Sequence, residues 1–194
     1  HQSVTNVVML AAAITVFAST PAAAELKVTV TIKPVHALVA AVMAGLGTPD
    51  LLIKGAASPH TYAMKPSDAK AINASAVFFR VSEALEPFTG KVVKSLPQSV
   101  RVVSLAEAPG MKLLSVREGT TFEAHAHGPE DLDRRAAGLH DHGAHGSRDG
   151  HVWVDPANAR AMVAEIARVL AEVSRGDAAT LESNAARLSA DIDV

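Results

Sequence analysis

The sequence has no cysteine among its 194 residues, only one tryptophan and one tyrosine, and little net charge. Without cysteine, disulfides, thiolate catalysis and cysteine-ligated zinc sites are all excluded. A formal net charge of −2 provides no basic surface of the kind that binds nucleic acid. Hydrophobic residues make up 48% of the chain, so a core can form, and the length suits one domain or one domain plus part of a second.

Histidine is the residue type that the chain has in excess. Five of its nine histidines fall between Glu123 and Gly146. This part of the chain, taken from Arg117 to Gly150, is also rich in Gly, Asp and Arg and poor in apolar residues, so it cannot bury enough surface to fold by itself. We predict a long flexible His-rich loop that binds metal weakly and in several ways, through His125, His127, His140, His142 and His145. The alternative is a low-complexity loop that only adds solubility.

The amino-terminal residues resemble a secretory signal peptide. The apolar run from Val7 to Ala18 is too short for a transmembrane helix, and Ala22-Ala23-Ala24 offers a small-residue cleavage site. The preceding HQSVTN lacks the usual positive charge. We expect residues 1–24 to be removed, and because no cysteine follows, we expect a periplasmic protein of a Gram-negative cell that is soluble and not lipid-anchored.

Residues 26–105 alternate between strand-type and helix-type patterns. Alternation of apolar and polar residues predicts strands, and apolar residues at helical spacing predict helices. The predicted order is strand Leu26–Ile32, helix Lys33–Leu46, strand Leu51–Ile53, a helix capped by Ser67 and running to Ala74, strand Val77–Val81, mixed helix Leu85–Leu96 and strand Val100–Leu105. Such alternation is typical of α/β proteins, and it predicts a parallel sheet flanked by helices in three α/β/α layers.

Order is predicted to return at His151. Asp155 is placed to cap a helix that begins with Pro156, and Gly176 is placed to end it. Asp177 opens a further helix whose apolar stripe continues to the last residue, Val194. We therefore expect an α/β domain over residues 25–176, the start of a linker helix over 177–194, and a second domain that the sequence lacks.

Two histidines outside the loop stand in distinctive segments. His60 belongs to Ser58-Pro59-His60-Thr61-Tyr62, which is followed by Lys65-Pro66-Ser67-Asp68, and His151 begins His-Val-Trp-Val-Asp-Pro. His60 follows a predicted strand, so it belongs at the carboxyl edge of the sheet, where open α/β sheets bind ligands. Neutral imidazoles are zinc ligands, and two of them on different connections supply half of a four-ligand site. His36, inside an apolar helix, is interpreted as structural.

The pattern P-H-x-Y-x-x-x-P-S-D, followed by a His-rich stretch and then H-x-W-x-D-P, resembles the metal-binding solute-binding proteins of ABC importers. It is most similar to their zinc-specific ZnuA type. The segments IKPVHALVAAVMAGLG and VFFRVSEALEPF are similar to that family as well. One departure is Pro59, which stands where some zinc members have an acidic residue before the first ligand histidine.

The resemblance implies a two-lobed protein, of which this chain is the first lobe. It implies that His60 and His151 are metal ligands, that Tyr62 and Asp155 support them, and that the remaining ligands come from the missing carboxyl-terminal lobe. The implied function is high-affinity capture of Zn²⁺ by a monomeric, non-enzymatic receptor. The implied partner is the membrane permease of an ABC zinc importer.

Three other functions remain open on the sequence alone. A receptor for Mn²⁺ or Fe²⁺ has the same fold, although harder cations prefer oxygen ligands and imidazole suits zinc. A periplasmic zinc buffer would use the His-rich loop without an importer. A zinc hydrolase needs a general base beside an open metal position, and the sequence has no H-E-x-x-H motif.

Overall fold

The structure, a computed structural model, describes residues 26–113 and 150–193. The predicted signal peptide over residues 1–24 lies outside the described residues. So does the predicted His-rich loop, except for Gly150, and with it the five loop histidines His125, His127, His140, His142 and His145.

A four-stranded parallel sheet forms the centre of the domain. Its strands are β1 (Val28–Val30), β2 (Asp50–Leu51), β3 (Val77–Arg80) and β4 (Arg101–Ser104), and they lie in the order β2-β1-β3-β4. Strands β1 and β3 are buried along their whole length, as expected for interior strands of a parallel sheet covered on both faces. The four predicted strands are thus confirmed, each somewhat shorter than its pattern.

Helices cover both faces of this sheet. They are α1 (Lys33–Val42), α2 (Pro66–Asn73), α3 (Thr89–Ser95), α4 (Pro156–Val173) and α5 (Ala178–Ile192). Helices α1, α4 and α5 pack against one another. The crossover through α1 runs from β1 to β2, whereas those through α2 and α3 run in the opposite direction across the sheet. Because such crossovers are right-handed, α2 and α3 lie on the other face, which gives the predicted three layers.

The hydrophobic core contains buried side chains of both β3 and the long helix α4. Phe78 and Phe79 are fully buried in β3, and adjacent residues of a strand point to opposite faces of the sheet. The stripe predicted for α4 is fully buried at Met162, Val163, Ile166, Val169 and Leu170. Its sixth predicted member, Val173, is 40% exposed because it is the last residue of the helix. The predicted cap of α4 is confirmed, because the Asp155 carboxylate accepts a hydrogen bond of 2.7 Å from the backbone N–H of Ala157.

Four predicted helix ends are wrong. Helix α3 begins at Thr89 rather than Leu85, because the residues before it form turns. Helix α1 ends at Val42 rather than Leu46, because the chain turns there and Gly45 adopts a positive φ of 84°. Helix α2 begins at Pro66 with Lys65 as its cap residue, so Ser67 lies inside its first turn. Helix α4 ends at Val173, and Gly176 sits in a 3-10 turn over Arg175–Asp177 instead of terminating the helix.

Helix α5 is tied to α1 by one buried side chain. The Asn184 amide donates hydrogen bonds of 2.9 Å to the carbonyl oxygens of Val42 and Ala44, which lie at and just beyond the end of α1. The predicted stripe of α5 faces the core, with Leu181 and Ala185 buried. Among the helices of the described residues, none combines the length and apolar character needed to cross a bilayer.

Candidate metal centre

His60 lies in the connection that follows β2. The backbone N–H groups of Leu52 and Ile53 donate to the carbonyl oxygens of Val30 and Thr31, so pairing with β1 continues past the end of β2. The chain then leaves the sheet at its carboxyl edge and reaches His60, whose backbone N–H donates to the Ser58 hydroxyl at 3.3 Å. The His60 side chain is exposed at that edge.

His151 reaches the same edge from the other end of the chain. It directly precedes a 3-10 turn over Val152–Val154, which leads into α4. Val152 is buried and fixes the turn to the core, while the His151 side chain is exposed. The cap that Asp155 makes on α4 holds the other end of this turn. Asp155 is therefore engaged with the helix.

The structure brings the two predicted ligands together. The ring centroids of His60 and His151 are 6.1 Å apart, with an angle of 54° between the ring planes. Two imidazoles on one tetrahedral zinc, with Zn–N bonds of about 2.0–2.1 Å, have centroids about 5 Å apart. The observed separation is therefore within about an ångström of that value. Trp153 stands beside this pair, with its ring centroid 5.4 Å from that of His151.

A small cavity of about 190 Å³ opens next to His151. His151 and Trp153 line it together with Ile32 and Lys33, which follow β1, and Ile53, which follows β2. The histidines thus lie at the carboxyl ends of the parallel strands, where ligands bind in open α/β sheets. Across residues 26–113 and 150–193, no three His, Cys, Asp or Glu side chains cluster closely enough to hold a metal ion.

Tyr62 holds the His60 connection against α2. Its hydroxyl donates to the Asp68 carboxylate at 2.9 Å, and the same oxygen accepts the backbone N–H of Lys65 at 2.8 Å. The Tyr62 ring also packs edge-on against Phe88, at a centroid distance of 5.1 Å. The sequence predicts a supporting place for Tyr62 but does not by itself connect Tyr62 with Asp68. The spacing from Tyr62 to Asp68 in Y-x-x-x-P-S-D is the signal that would have joined them.

We expect the phenol of Tyr62 to ionise above its ordinary pKa of 10.0. Burial raises this pKa most, and the hydrogen bond to Asp68 and the negative charge of that carboxylate raise it further. The pKa of Tyr62 is therefore higher in the folded protein than in the unfolded chain. The stability that the protonated phenol contributes is complete below pH 10 and is lost as the pH rises through the folded-state pKa. Absorbance titration is unambiguous because the chain has one tyrosine. Asp68→Asn should move the transition to lower pH, and an unchanged curve would contradict the assignment.

The chain matches a protein family described as the periplasmic zinc-uptake complex component A, ZnuA, over residues 28–194. It is 37% identical over 174 residues to the high-affinity zinc uptake system protein ZnuA of Brucella abortus, covering 81% of this chain and 52% of that protein. The ZnuA protein of Paracoccus denitrificans is 30% identical over 184 residues, with coverage of 90% and 56%. The chain thus spans about half the length of these curated relatives.

Solved structures of similar fold have lower identity. The Zn(II)-bound ZnuA-like domain of AdcA from Streptococcus pneumoniae has a TM-score of 0.66 at 21% identity, covering 87% of this chain and 52% of that one. A Mn-bound periplasmic metal-binding protein from Candidatus Liberibacter asiaticus also has a TM-score of 0.66, at 16% identity and with coverage of 85% and 52%. At these identities the likeness establishes the fold.

Proposed function

Because the chain belongs to the ZnuA family of periplasmic zinc-uptake components, we propose that it takes part in capturing Zn²⁺ and delivering it to the membrane permease of an ABC-type importer. The observation that carries this proposal is the 6.1 Å separation of the His60 and His151 rings. The two residues are 91 positions apart in the sequence, yet the fold presents both at one exposed edge.

In this proposal His60 and His151 supply two imidazole ligands, and a second lobe supplies the rest. This donor set favours zinc over Mn²⁺, because imidazole suits zinc whereas Mn²⁺ prefers oxygen ligands. Residues 25–176 form the first lobe, and helix α5 begins the connection to the second. Tyr62 and Asp155 keep the two ligand-bearing connections in place through their bonds to Asp68 and to α4.

The remaining parts of the chain take subsidiary roles. Residues 1–24 direct export to the periplasm of a Gram-negative cell and are removed, and the mature protein is a soluble monomer without a lipid anchor. His125, His127, His140, His142 and His145 bind further zinc weakly and in several ways. The protein works as a receptor and not as an enzyme: transport requires that zinc be held and released unchanged, with no general base beside it.

A manganese receptor is the second candidate, favoured by one observation. The periplasmic metal-binding protein from Candidatus Liberibacter asiaticus that shares this fold is Mn-bound. Since that likeness extends to the fold alone, the choice of metal depends on the ligands, and two imidazoles favour zinc.

Separate titrations with Zn²⁺ and with Mn²⁺ distinguish these two candidate functions. We expect Zn²⁺ to change the fluorescence of Trp153, which lies 5.4 Å from His151, at concentrations at least about tenfold below those at which Mn²⁺ does so. The measurement is a titration with each metal on the chain with its five loop histidines replaced by asparagine. A response to Mn²⁺ at equal or lower concentration would contradict the zinc assignment.

A further inference from the structure

A buried carboxylate occupies the point in the sheet where the strand order reverses. The chain leaves β1 towards β2 on one side and leaves β3 towards β4 on the other, so the carboxyl ends of β1 and β3 diverge. The Glu86 side chain lies there, fully buried. One carboxylate oxygen accepts the Thr31 hydroxyl, just past β1, and the other accepts the backbone N–H groups of Val81 and Ser82 at 2.8 and 3.0 Å, just past β3.

The segment that carries Glu86 is pinned at its far end as well. The Thr89 hydroxyl donates to the Glu86 carbonyl oxygen at 2.7 Å and accepts from the Arg80 guanidinium at 2.8 Å. Arg80 is itself nearly buried and donates through Nε to Ser104 on β4. Burial raises the pKa of Glu86, while its three hydrogen bonds and Arg80 oppose that rise. Burial of this carboxyl group costs free energy, and its hydrogen bonds hold residues 82–88 in one place.

Residues 82–88 contact the neighbours of both candidate ligands. Phe88 packs edge-on against Tyr62, two residues beyond His60. On the other side, Leu85 lies so close to Gly150 that a Cβ atom there would come within 2.9 Å of Leu85 Cδ1 and 3.3 Å of Leu85 Cβ. Gly150 immediately precedes His151. The segment therefore lies between the two connections and contacts each of them beside its histidine.

We propose that residues 82–88, anchored by Glu86, form a spacer that sets the separation of His60 and His151, so that Glu86 is a positioning residue for metal capture. The zinc part of this inference depends on the proposed function, whereas the geometric part concerns the protein without metal. The alternative role for Glu86 is stabilisation of the fold alone, with no effect on how the histidines are spaced.

The separation is measurable directly because the chain has no cysteine. With His60→Cys and His151→Cys, nitroxide labels attach only at these two positions, and dipolar broadening of the electron paramagnetic resonance spectrum reports their distance and its spread. We expect Glu86→Ala to widen the distribution, because it removes all three hydrogen bonds of the carboxylate. Glu86→Gln should preserve it, since the amide oxygen still accepts both N–H groups and the amide nitrogen can donate to Thr31.

Two further variants separate positioning from stability. Val169→Ala truncates a fully buried side chain near the far end of α4 and should lower stability while leaving the label distance unchanged. Gly150→Val keeps the Glu86 anchor but forces Leu85 and the backbone before His151 apart, so it should shift the mean distance. If Glu86→Ala does not fold, the label distance in Gly150→Val decides whether residues 82–88 act as a spacer. A distance that stays unchanged in Gly150→Val and in every folded Glu86 variant would overturn the spacer.

Zinc titration followed by Trp153 fluorescence provides the functional arm, with His60 and His151 intact and the loop histidines replaced by asparagine. We expect Glu86→Ala to weaken zinc binding by about tenfold or more, the range seen when groups that orient metal ligands are removed. The zinc affinities of Glu86→Gln and Val169→Ala should stay near that of the chain in which only the loop histidines are replaced. An equal loss of affinity in Val169→Ala would assign Glu86 a merely structural role. If the chain in which only the loop histidines are replaced gave no zinc response, the proposed function would be refuted. The label distances would still decide whether residues 82–88 act as a spacer.

Discussion

A chain in which both His60 and His151 are replaced by alanine is expected to lose the saturable fluorescence change that zinc produces. The two rings lie 6.1 Å apart, and no third metal-binding side chain joins them in the described part of the chain. In the proposed site, each imidazole is expected to supply about half of the free energy with which this chain binds the ion, and water is expected to complete the coordination. Trp153 is the only tryptophan, and its ring lies 5.4 Å from His151, so it reports on this site.

The experiment needs the five loop histidines replaced by asparagine, so that zinc bound there does not obscure the result. His36→Gln is the matched control. This histidine lies in α1, where its Nε2 atom is 2.9 Å from the Pro49 carbonyl oxygen. The control should keep the zinc response, and each single variant, His60→Ala or His151→Ala, should lose most of it. If the double variant still responded to zinc like the chain in which only the loop histidines are replaced, the metal would have to bind elsewhere.

Phe78→Ala and Phe79→Ala are each expected to lower the free energy of unfolding by about 3–5 kcal/mol. Both side chains are fully buried, and as neighbours in β3 they point to opposite faces of the sheet. Each therefore leaves a cavity in a different layer: one under α1, α4 and α5, the other under α2 and α3.

Urea unfolding followed by circular dichroism measures these losses. Leu188→Ala serves as the comparison, since this α5 residue is only partly buried against the core and should cost less. If either phenylalanine variant lost under about 1 kcal/mol, one face of β3 would not be covered, and the three-layer architecture would be contradicted.

The sequence predicts the sheet and the long helices because their patterns are local and strong. The run LKVTVTI gives β1, VFFRV gives β3, and the apolar stripe after Asp155-Pro156 gives α4 with its cap. The carboxyl-edge position of His60 follows from the strand that precedes it, and the structure adds that His151 lies beside it. That both histidines bind zinc stays a prediction until metal is measured.

The features that sequence reasoning missed depend on contacts between distant residues. In VSEALEPF, Glu83 and Glu86 look alike, yet Glu83 is exposed and Glu86 is fully buried. The difference arises from Thr31, 55 residues earlier, and from the reversal of strand order at β1 and β3. The end of α4 was misplaced for a more local reason. Gly176 suggests a helix terminus, but α4 ends at Val173, and Gly176 lies in the following 3-10 turn, which the Ser174 hydroxyl spans by donating to the Asp177 carboxylate.

The central claim is that one zinc ion binds between His60 and His151, and diffraction at the zinc absorption edge tests it most directly. Crystals of the chain with loop histidines replaced by asparagine, soaked in Zn²⁺, should show an anomalous peak about 2.0–2.1 Å from a ring nitrogen of each histidine. The rings should also have moved closer together than 6.1 Å. A peak that contacts neither histidine, or only one of them, would contradict the claim.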